Sequence, residues 1–139
     1  IIRGEAPVIR SDGRFSRNYI YVEDAALAYM AVAEGISTNP AVQGQAFNFS
    51  YGNPLDVQQM VDRILGHMGR PDLSPVVLGT ADHEILHQYL MPSKANTTLD
   101  WQPKFNLDEG LKKTILCYKN SIDSSLIVGE CYLNILIRC

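Results

Sequence analysis

The chain has 139 residues, of which 46% are hydrophobic and 19% charged, and its 12 Lys and Arg face 15 Asp and Glu. This composition excludes disorder over most of the length. A net charge of -3 leaves no basic excess for nucleic acid or an anionic membrane surface. The length suits one domain, since single domains run to about 100–200 residues.

The chain opens on Ile1, in mid-pattern and with no cap or turn signal, which reads as a piece of a longer protein. Ser11-Asp12-Gly13 reads as a turn. Asn18 to Val22 follows with mostly strand-type residues and is expected to be a short strand. Asp24 is placed to cap a helix over Ala25 to Glu34, with Gly35 as its stop. That helix is apolar almost all round, so it is expected between two layers. After a polar loop, Ala46 to Ser50 is a second strand candidate.

Asn53-Pro54 then has the form of a cap followed by proline at the first helical position. Val57, Met60, Val61, Ile64, Leu65 and Met68 recur at helical spacing, and Gly69 and Pro71 end the run. Pro75 to Leu78 is a short strand, and Ser93 is placed to cap a brief helix through Leu99. Asn106 caps a last helix, with Glu109 completing a capping box and Leu107, Leu111, Ile115 and Tyr118 on one face. Helices alternating with short strands indicate an α/β or α+β organisation. Three short strands make a poor sheet alone, which again suggests a companion domain.

The cysteines are Cys117, Cys131 and Cys139, an odd number with no Cys-x-x-Cys pair, so reduced thiols in a cytoplasmic protein are expected. Leu126 to Ile137 is apolar but broken by Gly129, Glu130 and Asn134. A bilayer needs about 20 apolar residues, so no membrane span is expected.

Much chemistry is absent. There is no glycine-rich phosphate loop, no Tyr followed four residues later by Lys, and no Gly-x-Ser-x-Gly elbow. No catalytic residue is therefore assigned within the chain. Arg10, Arg14 and Arg17 flank a loop before a strand, where planar guanidinium forks suit a diphosphate or where a solvated loop carries ordinary charge. His83-Glu84-Ile85-Leu86-His87 spells a zinc-protease pattern, but the stretch is short and offers no third ligand. It is read as a surface or substrate-lining cluster, with no metal. Trp101 is expected in the core.

Several segments together resemble a known family. Pro7 to Gly13, then Arg17-Asn18-Tyr19-Ile20-Tyr21-Val22-Glu23-Asp24-Ala25, resemble the second half of extended short-chain dehydrogenase/reductases that act on nucleotide sugars. Phe47-Asn48-Phe49-Ser50, Ser93-Lys94-Ala95 through Leu99-Asp100-Trp101-Gln102-Pro103, and Leu107 to Tyr118 resemble later segments of that NAD-dependent epimerase/dehydratase family, in the right order. Within it, Ile9 to Gly13 and Glu84-Ile85 with Gln88-Tyr89-Leu90 are closest to the CDP-glucose 4,6-dehydratase branch. Departures are Asn18 for the usual Asp, Asp100 for Gly, and Cys117 for Trp.

The resemblance implies the C-terminal, substrate-binding part of an extended Rossmann-type sugar-nucleotide dehydratase. Residues 1–119 would form it, 120–139 would be a divergent tail adding little to the fold, and NAD would sit on an N-terminal domain absent from this chain. It implies oxidation at C4, loss of water across C5–C6 and return of the hydride to C6, with the fragment alone inactive. It places Arg17 on the diphosphate, Arg10 at the nucleotide end, and Asn48 and Gln88 among the substrate-binding residues. The expected partner is a nucleotide sugar, with no nucleic acid or membrane, and with a homo-oligomer for the full-length enzyme. Alternatives are another nucleotide-sugar epimerase or dehydratase, or a non-catalytic binding module.

Overall fold

The computed structural model describes residues 1–81, 85–123 and 136–138. Its elements in order are β1 (Val8–Ile9), β2 (Ser16–Arg17), β3 (Tyr19–Tyr21), α1 (Val22–Thr38), β4 (Leu55–Asp56), α2 (Val57–Met68), β5 (Val76–Val77), α3 (Ser93–Leu99), α4 (Leu107–Asp123) and β6 (Leu136–Arg138). The strands form three separate pairs: β1 parallel to β5, β2 antiparallel to β4, and β3 antiparallel to β6. This is an α/β arrangement of helices with short strands.

The core gathers where α1 and α3 meet β3. Ile20, Ala28, Ala95 and Trp101 are buried together, with Phe47, Phe49, Tyr51 and Leu99 packed around them. Trp101 takes the expected core position, edge-to-face with Phe49 at 5.0 Å. On the other side of β3, Gly110 of α4 packs against Tyr21, and a Cβ there would stand 2.8 Å from the Cβ of Tyr21.

Local chemistry explains both the agreements and the differences. The Ser11–Gly13 turn forms, with the Ser11 hydroxyl accepting from Gly13 N and the Asp12 carboxylate from Arg14 N. The capping box of α4 forms in both directions, Glu109 N to Asn106 Oδ1 and Asn106 N to Glu109 Oε2. Helix α2 starts later than the Asn53-Pro54 pattern suggests. Leu55 and Asp56 pair with β2, so Asp56 becomes the cap and makes its own box with Gln59. Gly69 ends α2 in the left-handed conformation, φ 64°. At α3 the residue before the helix is Pro92, and no side chain caps it.

Asp24 does not cap α1. The helix begins at Val22, and Asp24 lies fully buried inside its first turn. Gly35 does not stop the helix either, which runs on to Thr38. A Cβ at Gly35 would meet Leu99 Cδ2 at 2.7 Å, so this glycine lets α3 approach α1. Nor is α1 covered all round, since Tyr29 is 79% exposed and Met30 57%. The 46–50 segment is not a strand. Its Ala46 carbonyl accepts from the Lys94 ammonium at 3.0 Å, while Phe47 and Phe49 turn to the core.

The C-terminal residues depart most from expectation. Helix α4 runs past Lys119 to Asp123, and β6 lies along β3 with Ile20 opposite Ile137 and packs against α1 and α4. Residues beyond 119 therefore contribute a strand against the most buried part of the molecule. Cys117 is disulfide-bonded, against the expectation of reduced thiols. The β6 backbone lies near α4, the helix that carries Cys117. Cys131 and Cys139 lie outside the described residues. Among the described residues, no helix is long and apolar enough to cross a membrane.

Candidate functional site

The site is built on β2. Ser16 and Arg17 pair on one side with β4, and on the other the extended 86–88 segment runs beside Ser16. Ser16 N donates to the Leu86 carbonyl at 2.9 Å, and Gln88 N donates to the Ser16 carbonyl at 3.1 Å. Arg17 Nη1 donates to that same Ser16 carbonyl at 2.7 Å. The fold thus brings Arg17 and Gln88, distant in sequence, to one oxygen atom. Arg17 is 4% exposed, and its guanidinium also lies 5.9 Å from the Phe15 ring. Gln88 is exposed.

His87 stands next to them. Its Nδ1 lies 3.0 Å from the Ser16 hydroxyl, a hydrogen bond whose direction follows the imidazole tautomer. His83 and Glu84, the other members of the zinc-protease pattern, lie outside the described residues. Among the described residues, no group of three or more His, Cys, Asp or Glu is placed to hold a metal ion.

Asn48 sits further along, exposed on the rim of a cleft of about 230 Å³. Ile20, Ala28, Phe49 and Leu90 line this cleft. Leu90 is two residues beyond Gln88, so one segment joins the Arg17 end to the Asn48 end. Arg10 belongs to another corner. It is exposed, and its carbonyl accepts from Thr80 and Ala81 beyond β5. No described contact links it to Arg17.

Three residues of the site escaped sequence reasoning: Ser16, Asn18 and Ser50. Asn18 Oδ1 accepts from Leu90 N at 2.6 Å, and the Ser50 hydroxyl donates to the Leu90 carbonyl at 2.7 Å. Both side chains are 1% exposed. Their partners lie 72 and 40 residues away in sequence, so no local pattern marks them.

The described residues do not suit a dinucleotide. Such a site offers its pyrophosphate a glycine-rich turn and the open N–H groups of a helix N-terminus. Here the Tyr51 hydroxyl takes Tyr21 N at the start of α1, while Asp56 caps α2 and Asn106 caps α4. Carboxylates occupy the first turns of α1 (Glu23, Asp24) and α4 (Asp108, Glu109), where they oppose an anion.

Known proteins resemble the chain in sequence and in fold. UDP-glucose 4-epimerase of Mycolicibacterium smegmatis is 29% identical over 123 residues, covering 86% of this chain and 36% of that protein. The structure of UDP-glucose 4-epimerase from Thermotoga maritima with UDP-glucose superimposes with a TM-score of 0.75 at 28% identity, over 87% of this chain and 37% of that one. The fold is therefore the one found in nucleotide-sugar epimerases and dehydratases. dTDP-glucose 4,6-dehydratase from Bacillus anthracis, solved with NAD, has it too, with a TM-score of 0.71 at 20% identity over 88% of this chain and 37% of that one. Other relatives are UDP-glucuronic acid decarboxylases and a UDP-glucuronate 4-epimerase. The chain spans about a third of the length of these relatives. No family model matches it.

Proposed function

We propose that this chain is the sugar-nucleotide-binding portion of an NAD-dependent nucleotide-sugar epimerase/dehydratase, and that within this class it serves a CDP-glucose 4,6-dehydratase. The observation that carries the reading is the convergence of Arg17 and Gln88 on the Ser16 carbonyl, beside an exposed segment and a cleft. Arg17 is anchored by β2 and by its bond to the Ser16 carbonyl, and its planar fork is of the kind that suits phosphate oxygens. Charge-assisted bonds of this kind contribute about 1.5–3 kcal/mol each. Gln88 offers an uncharged donor and acceptor for the sugar, and Asn48 does the same from the cleft. Arg10, on its own loop, reaches toward the nucleotide end only if the ligand extends past β5. NAD belongs to a domain outside these residues, and with it the redox chemistry.

The CDP-glucose assignment draws on the Ile9 to Gly13 loop and on the Glu84 to Leu90 stretch. A second reading, a UDP-sugar epimerase, is favoured by the likeness to UDP-glucose 4-epimerases at 28–29% identity. Calorimetric titration of the 139-residue chain with CDP-glucose, UDP-glucose and dTDP-glucose separates them. CDP-glucose is expected to bind tightest. Tighter binding of UDP-glucose would favour the epimerase, and no binding of any would refute the sugar-nucleotide reading. Mixed with CDP-glucose and NAD, the chain is expected to form no 4-keto sugar.

A further inference from the structure

We infer that Asn18 and Ser50 are a positioning pair that clips the 86–90 segment in place, and so sets where Gln88 stands relative to Arg17. This inference rests on the sugar-nucleotide reading of the site. At one end, among the described residues, the segment is held by Ser16, through two backbone bonds and the contact of its hydroxyl with His87 Nδ1 at 3.0 Å. Ile85, Leu86 and Tyr89 are 64%, 46% and 60% exposed, so burial does little to hold them. An exposed segment with so few bonds opens locally unless its other end is fixed.

Leu90 is that other end. Its N–H goes to Asn18 Oδ1 and its carbonyl to the Ser50 hydroxyl, so both polar groups of one residue are bound by buried side chains. Ser50 is itself held, accepting from Gly52 N at 3.2 Å. Asn18 separates β2 from β3, directly after Arg17. The clip and the arginine therefore share one stretch of backbone, and any slack at Leu90 is felt at Gln88 two residues away. Among the described residues, Asn18 Nδ2 is buried with no hydrogen-bond partner. A residue selected for packing alone would carry no such unsatisfied donor, so the use made of Asn18 is its acceptor.

Amide hydrogen exchange and calorimetry on the 139-residue chain test the inference together. Asn18→Ala is expected to speed exchange at Leu90 about tenfold, the equivalent of one lost hydrogen bond, and to weaken CDP-glucose binding by a similar factor. Asn18→Asp keeps an acceptor oxygen and is expected to restore both. Ser50→Ala releases the carbonyl side and is expected to change both in the same direction; it decides alone should Asn18→Ala not fold. Unchanged Leu90 exchange in these variants overturns the clip. Faster exchange with parental affinity shows that the pair is structural and overturns the positioning role. A parent chain that binds no nucleotide sugar overturns the inference along with the reading beneath it, and the Leu90 exchange then shows whether the clip itself failed.

Discussion

The Tyr51 hydroxyl donates to Asp24 Oδ2 at 2.7 Å and accepts from Tyr21 N at 3.1 Å. One phenol thereby satisfies the buried carboxylate and the backbone at the start of α1. Asp24 takes its other bonds from Lys104 N at 2.7 Å and Phe105 N at 3.4 Å, which ties the loop before α4 to α1. Tyr51→Phe keeps the ring and removes both bonds of the hydroxyl. Leaving buried polar groups unsatisfied costs about 1–3 kcal/mol. Urea unfolding is expected to show a loss in that range, and a loss under about 0.5 kcal/mol, the ordinary scale of a surface change, would contradict the role given to this bond.

Gly110 permits the close packing of α4 on β3. Alanine in a helix interior normally gains about 1 kcal/mol over glycine. Here the added methyl meets the base of the Tyr21 side chain, which has no room to swing because Tyr21 is fully buried. Overpacking of this kind costs about 1–3 kcal/mol. Gly110→Ala is expected to lower the melting temperature. A rise would show that the helix preference prevails and that the contact yields.

Tyr21 supplies a pH dependence. Burial first, and then its hydrogen bond to Glu23, push its phenol up to about 12 from 10.0. Burial and the bond to Asp24 raise Tyr51 as well. The folded state favours the protonated phenols, so their contribution is full below the unfolded value near 10 and is lost as pH rises through the folded value. Stability is expected to fall between pH 10 and about 12. Ultraviolet titration of phenolate, with unfolding midpoints across that range, checks it. Tyr21→Phe is expected to flatten the decline, and an unchanged decline would remove Tyr21 as its cause.

Local chemistry was legible in the sequence where it is decided locally. The Asn106–Glu109 box, the Gly69 stop and the core position of Trp101 all rest on neighbouring residues or on size. Features decided across the chain were not. Asp24 has the spacing of a cap, yet its partners are 27, 80 and 81 residues away in sequence. Gly35 has the place of a helix stop, yet Leu99 determines its use. Asn53-Pro54 is a sound start signal that the β2–β4 pairing overrides by claiming Leu55 and Asp56. Of the site, Arg17 is legible from its guanidinium and its place before a strand as well as from resemblance, Gln88 from resemblance alone, and the fold brings both to the Ser16 carbonyl. Arg10 is near Arg17 in sequence, but the turn at Ser11–Gly13 carries it to a different corner.

Arg17 is proposed to serve a diphosphate. The most direct test of this compares CDP-glucose with cytidine, which lacks the phosphates, on the parent chain and on Arg17→Ala, below the melting temperature of each. Arg17 is buried, so the variant is also expected to be less stable. The parent is expected to prefer CDP-glucose about tenfold to a hundredfold, the worth of one charge-assisted bond, and the variant to lose most of that preference while binding cytidine as before. Lysine is expected to restore the preference only in part, because its point charge lacks the planar fork. An Arg17→Ala chain that folds and keeps the full preference would contradict the account and make Arg17 a structural residue.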